Sequence, residues 1–169
     1  AGARVSDPWL HELAALAAKI NGQRESYLAR ICDLLRAELG AFGGFGKIEL
    51  EYYGGGVGLD PNEALEKFQS RIPYDQKAGT TSLGPHRGDI KIVFNGIAAK
   101  DYLSRGQAKL VSVLFALSQT RLLLNERSRK SILLIDDISA ELDEDNLVQC
   151  MEMISEMQMQ TFMTSSNVF

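Results

Sequence analysis

Three short stretches, in fixed order, most constrain what this chain can fold into: Leu103-Ser104-Arg105-Gly106-Gln107, then Ile132-Leu133-Leu134-Ile135-Asp136-Asp137, then Ser139-Ala140-Glu141-Leu142-Asp143. The first puts Ser at a helix start with Gln three residues on, a capping box. The helix it opens runs to about Asn125, and its middle, Leu110 to Leu117, is apolar nearly all round, which predicts burial on several sides. The second stretch is an aliphatic run from Ser131 to Ile135, as in strands covered on both faces of a parallel sheet. A further helix bearing Leu147, Met151 and Ile154, then a short strand from Thr161 to Thr164, complete a strand-helix-strand unit with an expected right-handed crossover. The fold class read from this half is α/β.

The first half reads differently. Ser6 or Asp7 can cap a helix with Pro8 in its first turn, one face of which is marked by Leu10, Leu13, Ala17 and Ile20. A second stripe, Leu28, Ile31, Leu35 and Leu39, continues to a cap at Gly40, so one long helix or a two-helix hairpin fits. Arg24, Glu25, Arg30, Asp33, Arg36 and Glu38 read as its solvated face. Lys47 to Tyr53 alternates like a half-buried strand and ends in Gly54-Gly55-Gly56, a flexible turn. Pro61 to Arg71 reads as a short helix with Leu65 and Phe68 inward. A strand from Thr80 to Leu83, the turn Gly84-Pro85-His86-Arg87-Gly88 and a strand from Asp89 to Phe94 follow, with Asn95-Gly96 as a hairpin signal. The methionines at 151, 153, 157 and 159 read as core or edge filling.

Composition excludes several classes. The formal charge of -4 argues against a uniformly basic nucleic-acid binder, though a local patch fits inside an acidic total. Cys32 and Cys150 are too few for a secreted disulfide framework and lack metal-ligand spacing, which favours a reducing cytoplasm. The longest apolar run, Val113 to Leu117, is far too short to cross a bilayer.

Chemistry concentrates at the strand end and the helix tip. Asp136 falls at the carboxyl edge of its strand, where open parallel sheets bind ligands, and its carboxylate suits Mg²⁺. Asp137 is placed to orient or deprotonate a water; two acids after a strand can equally cap a helix or sit in a solvated loop. The helix start at Ser104 to Gln107 offers backbone donors and a positive dipole end to a phosphate, with Gly106 permitting close approach. No G-x-x-x-x-G-K-[ST] occurs anywhere in the chain to cradle phosphates on its own. His86 and Arg87 stay open between a structural turn, with Arg87 paired to Asp89, and a phosphate or interface contact. Arg121, Arg127, Arg129 and Lys130 read as a solvated helix end.

Taken together, G-P-H-R-G-D, L-S-R-G-Q and L-L-I-D-D-I-S-A-E-L-D between Gly84 and Asp143 resemble the C-terminal part of the bacterial RecF family of DNA repair ATPases, relatives of the SMC heads. W-L-H-E-L at Trp9 to Leu13 and I-E-L-E-Y-Y at Ile48 to Tyr53 are similar to the arm region of that family, so the resemblance spans nearly the whole chain. It implies a partial ABC/SMC-type head of the P-loop class without the phosphate-loop half: a helical arm region with a short strand over 1–79 and an ATPase lobe over 80–169. It also implies ATP sandwiched between two subunits. Ser104, Arg105, Gly106 and Gln107 would reach the γ-phosphate in trans, Asp136 would hold Mg²⁺, Asp137 would be catalytic, and Ser139 and Asp143 would form the D-loop. His86 and Arg87 would meet DNA or the dimer partner. The family implies slow, DNA-stimulated hydrolysis, double-stranded DNA and single-strand to duplex junctions, RecR, RecO and RecA as partners, gap repair and the SOS response, and a cytoplasmic location. This stretch alone is expected to be inactive, to bind neither ATP nor Mg²⁺, and to expose sheet edges and apolar surface for want of the missing strands.

Three departures bear on the resemblance. The general ABC signature carries Gly at the position of Arg105 and glutamate at that of Asp137; RecF-like proteins share both differences. At Thr164-Ser165-Ser166-Asn167, near where other ABC heads place a switch histidine, there is none. Rival readings are a non-enzymatic interaction module of ATPase-like shape and another SMC-like head, the second disfavoured by the short helical arm.

Overall fold

A computed structural model describes residues 8–127, 131–140 and 142–166. Ser6, Asp7, Arg129, Lys130, Glu141 and Asn167, which figure above, lie outside these, as does the side chain of Arg127. The elements are α1 (Pro8–Phe42), β1 (Ile48–Tyr53), α2 (Pro61–Ala78), β2 (Asp89–Phe94), β3 (Ile97–Ala98), α3 (Ala99–Tyr102), α4 (Arg105–Arg127), β4 (Ile132–Ile135), α5 (Glu144–Glu156) and β5 (Gln160–Met163). One sheet has the order β1-β2-β3 and the other is the pair β4-β5. The chain divides into two compact units, one of residues up to Leu28 with Leu50–Lys91, the other of Ala29–Glu49 with Ile92–Phe169. No helix among the described residues is long and apolar enough to cross a membrane.

In the first unit α1 buries Leu10, Ala14 and Ala17 with Val57, Ala64, Leu65, Phe68 and Leu83. Of the expected face Leu10 and Ala17 turn inward, whereas Leu13 and Ile20 stay exposed and Ala14 takes their place, its short side chain admitting the α2 residues Ala64 and Phe68 more closely than a leucine could. No break follows Asn21-Gly22, so α1 is one helix. Asn21 is only 1% exposed, and its amide turns away from its own helix to donate to Gly54 O at 3.1 Å and Val57 O at 2.9 Å, while Tyr52 Oη donates to its Oδ1 at 2.8 Å. The glycine run is therefore a held turn rather than a loose one. A Cβ on Gly55 would strike the carbonyl of Gly84, whose own N–H donates to Gly55 O.

α2 outruns the expected end at Arg71 and passes through Pro73 to a left-handed cap at Gly79. Pro73 removes a single donor from the ladder, a loss the remaining turns and the glycine cap outweigh. Thr80 to Leu83 is not a strand. Its backbone is engaged by side chains instead: Ser82 N donates to Asp75 Oδ1, and the carbonyl of Thr81 meets His86 and Arg87.

In the second unit the stripe Leu28, Ile31, Leu35, Leu39 is buried as its spacing requires, Leu28 belonging to the first unit's end of the helix. α1 passes Gly40 and stops at Phe42, followed by Gly43 at φ 65°. β2 and β3 form the hairpin signalled by Asn95-Gly96, with Val93 opposite Ala98 and both turn residues at positive φ. α4 buries Leu110, Val111, Val113, Leu114 and Leu117, whereas Ala116 faces out. β4 pairs parallel with β5, Ile132 beside Gln160 through Ile135 beside Met163. The expectation that β4 is covered on both faces fails: Leu133 is buried, but Ile132 and Leu134 are 61% and 73% exposed and Phe162 of β5 is exposed as well. Among the described residues no layer covers that face.

Glu38 also departs from the solvated reading. It is 5% exposed, accepts a 2.5 Å hydrogen bond from Ser118 Oγ and lies 3.6 Å from Arg121 Nε. Burial pushes its carboxyl above the usual range, opposed by the Ser118 bond and the Arg121 charge. A carboxyl raised on folding favours the native state most where it is protonated, and that contribution is lost as pH rises through the raised value. The thermal midpoint of the wild-type protein relative to Glu38→Gln is accordingly expected to fall as pH rises above the ordinary carboxylate value of 4.5, as read by thermal denaturation across a pH series. Replacing Asn21 by Ala, which strands the buried carbonyl of Val57 and the part-buried one of Gly54, is expected to cost about 2 kcal/mol in urea unfolding, against about 1 kcal/mol for Tyr52→Phe.

Candidate functional site

The capping box at the start of α4 is formed. Ser104 N donates to Gln107 Oε1 at 3.0 Å, and Gln107 N donates to Ser104 Oγ at 3.3 Å. Ala108 N is taken by Ser104 O at 2.8 Å. The first turn of a helix leaves its leading N–H groups without intrahelical acceptors, so Arg105 and Gly106 supply the donors free for an outside anion. Ser104 and Arg105 are exposed and Gly106 is half-buried, so this tip lies at the surface. The Ser104 hydroxyl accepts the capping bond and keeps its own proton for a second partner.

At the other pole, Asp136 follows the last residue of β4 and lies on the carboxyl rim of the parallel pair. Its Oδ1 accepts a 2.6 Å hydrogen bond from Thr164 Oγ1, and the side chain is exposed. Asp137 has a left-handed backbone at φ 45°. Its Oδ1 accepts from Ser166 N at 3.1 Å, Ser166 Oγ at 3.0 Å and Ser139 Oγ at 3.2 Å. The bonds from Ser166, backbone first and hydroxyl second, hold this carboxyl below its usual range, with smaller help from Ser139 and the Lys109 charge against partial desolvation. A carboxylate so held is reliably charged but a weak base, which suits orienting a water better than deprotonating one.

Asp136 and α4 share a cavity of about 210 Å³ lined by Lys109, Ser112, Val113, Leu133, Ile135 and Asp136, among others. Ser104 to Gln107 do not line it. The two D-loop candidates are engaged locally: Ser139 is buried and accepts from Ser165 Oγ at 2.8 Å, and Asp143 caps α5 through Asn146 N at 2.9 Å. His86 and Arg87 are exposed on a 3₁₀ turn, with His86 Nε2 3.2 Å and Arg87 Nη2 3.4 Å from Thr81 O. Arg87 makes no ion pair with Asp89, whose carboxylate accepts from Ile90 N. The turn is held by Arg24, which donates to Pro85 O at 2.6 Å.

The donor set is compatible with Mg²⁺ only in part. Among the described residues no group of three or more acid, His or Cys side chains is placed to hold a metal. A hard ion that keeps much of its water and takes one or two carboxylates beside phosphate oxygens could still use Asp136, whose Oδ2 has no partner among the described residues. Sequence reasoning met Thr164 and Ser166 only as part of a segment without a histidine, and passed over Lys109. The usable signal for Thr164 was its place directly after the strand that pairs with β4.

No protein-family model matches the chain. It is 34% identical over 161 residues to the DNA replication and repair protein RecF of Hahella chejuensis, an alignment covering 92% of this chain and 43% of that protein. The corresponding protein of Stenotrophomonas maltophilia is 33% identical over 166 residues, covering 96% and 45%. A solved structure of the recombination mediator protein RecF with ATP, from the RecFOR pathway, matches with a TM-score of 0.75 at 27% identity over 99% of this chain and 46% of that one. The chain thus spans less than half the length of the relatives it matches. Its α/β fold is that of part of an ABC ATPase-like head. Over that length the chain is similar to the C-terminal part of RecF proteins.

The capping bonds carry a prediction that is independent of any nucleotide. Gln107→Ala removes one of the two reciprocal bonds and is expected to lower stability by about 0.5 to 1 kcal/mol in chemical denaturation, with Gln107→Glu near wild type.

Proposed function

We propose that this chain is the signature-bearing part of a RecF-like DNA repair ATPase, with 1–79 its arm region and 80–169 its C-terminal head lobe. The observation that carries this reading is the pairing of an exposed, capped helix tip at Ser104 with two acids delivered to the carboxyl rim of a parallel sheet at Asp136 and Asp137. The relatives' names, a replication and repair protein and a recombination mediator solved with ATP, support the same reading.

In this reading Ser104, Arg105, Gly106 and Gln107 receive the γ-phosphate of ATP bound on a partner subunit, through Arg105 and Gly106 N–H groups, the Ser104 hydroxyl and the Arg105 guanidinium. Asp136 is the protein's carboxylate for Mg²⁺, an ion that draws charge from the phosphates when bound. Asp137 orients the attacking water; its three hydrogen bonds fix the carboxylate's direction while limiting its basicity, which accords with slow, switch-like turnover. Ser139 and Asp143 shape the loop between the acids and α5. His86 and Arg87, carried on the turn that Arg24 holds, contact DNA phosphate or the dimer partner, giving affinity without sequence reading. The whole protein would dimerise on ATP, bind duplex DNA and junctions in the cytoplasm, and act with RecO and RecR in loading RecA at single-strand gaps.

The test uses the full-length protein. Ser104→Arg fills the tip with a bulky cation and is expected to abolish DNA-stimulated hydrolysis and ATP-driven dimerisation while ATP binding by the monomer stays near normal. Loss of monomer binding instead would contradict the role in trans. Asp136→Asn is expected to weaken the Mg²⁺ dependence of ATP binding, measured by titration with and without the metal.

A further inference from the structure

The carboxyl rim of β4 and β5 carries one side chain that the reading above leaves without a task. The parallel register sets Ile135 beside Met163, so the next residues outward, Asp136 and Thr164, stand abreast. Thr164 makes four hydrogen bonds to the strand-end turn. Its N–H donates to Ile135 O at 3.0 Å and its carbonyl accepts from Ile138 N at 3.1 Å. Its Oγ1 accepts from Asp137 N at 2.8 Å and donates to Asp136 Oδ1 at 2.6 Å. The two backbone bonds extend the ladder and need no particular side chain. The other two require a group that accepts and donates through one atom, which a hydroxyl does and a methyl cannot.

Both bonds end on a reacting-site candidate. One fixes which Asp136 oxygen is occupied and so which is left outward. The other holds the N–H of Asp137, whose left-handed backbone is one that few non-glycine residues adopt unless their surroundings impose it. We propose that Thr164 is a positioning residue for the acid pair, a single hydroxyl that sets the Asp136 carboxylate and the Asp137 backbone together. This rests on the ATPase reading. Deleting the hydroxyl releases both acids at once, whereas losing only the γ-methyl leaves both bonds in place.

Full-length protein carrying Thr164→Val, which keeps the shape and deletes the hydroxyl, is compared with Thr164→Ser, which keeps the hydroxyl. The valine variant is expected to lose about 10²-fold in kcat for DNA-stimulated ATP hydrolysis, the scale of a small misplacement of catalytic groups. Its affinity for ATP in EDTA should match wild type, while the Mg²⁺ concentration that half-saturates the thermal shift produced by ATP should rise. Serine should restore both turnover and the Mg²⁺ response. In an Asp136→Asn background the valine change should add nothing further to the Mg²⁺ response, since both act through one contact. Should the valine protein not fold, Thr164→Ala is read the same way. Wild-type turnover and Mg²⁺ response in the hydroxyl-deleted protein, or a serine variant no better than valine, would overturn the proposal. A wild-type protein that neither binds nor hydrolyses ATP defeats the ATPase reading itself, and is recognised because every variant then behaves alike.

Discussion

The parallel pairing of β4 with β5 is the constraint on which the candidate site hangs. Four residue pairs fix the register, and Thr164 lies abreast of Asp136 only because they do. A slip of one residue would bring Met163 or Ser165 to that place and turn every side chain of β5 to the opposite face. The chain reaches this register through α5, whose start is set by the Asp143 cap and whose buried Cys150 and Ile154 seat it. The same pair leaves Ile132, Leu134 and Phe162 bare on one face, a surface of the kind that another layer of structure normally covers.

The first unit is organised by a different device. A buried amide on α1, Asn21, satisfies two carbonyls and a tyrosine hydroxyl across the loop after β1, and the glycines of that loop let Gly84 come into backbone contact. The consequence is a firm base under the turn bearing His86 and Arg87. Their side chains are spread over the carbonyl of Thr81, and the turn's own carbonyl at Pro85 is held by Arg24. Arg24 looked like an ordinary solvated charge in the sequence because its partners lie 28 and 61 residues away.

What the sequence made legible follows the reach of the forces involved. The stripe Leu28 to Leu39, the Asn95-Gly96 hairpin, the capped start of α4 and the strands on either side of α5 depend on neighbours within a few residues, and all were readable. At the beginning of α1 Leu10 and Ala17 were legible as inward but Leu13 and Ile20 were not outward by pattern, because hydrophobicity favours Leu13 over Ala14 while close packing against Ala64 and Phe68 favours the smaller residue. Thr80 to Leu83 has strand-like composition but lies where side chains from Asp75, His86 and Arg87 take its backbone groups. Glu38 carries no local sign of burial; Ser118, eighty residues on, supplies its hydrogen bond. At the site, the acids and the helix tip were recognisable by type and spacing, whereas Thr164 and Ser166 acquire meaning only once two strands are laid side by side.

The left-handed backbone at Asp137 bears on which acid can stand there. That conformation is tolerated by asparagine and aspartate far better than by longer side chains, which gain nothing from their own main chain in it. In the proposed ATPase reading, aspartate in place of the glutamate usual in ABC ATPases is then more than a carboxylate with one methylene fewer. The bend of the main chain selects the short acid, and a longer one would gain reach only by giving up the curve that aims it.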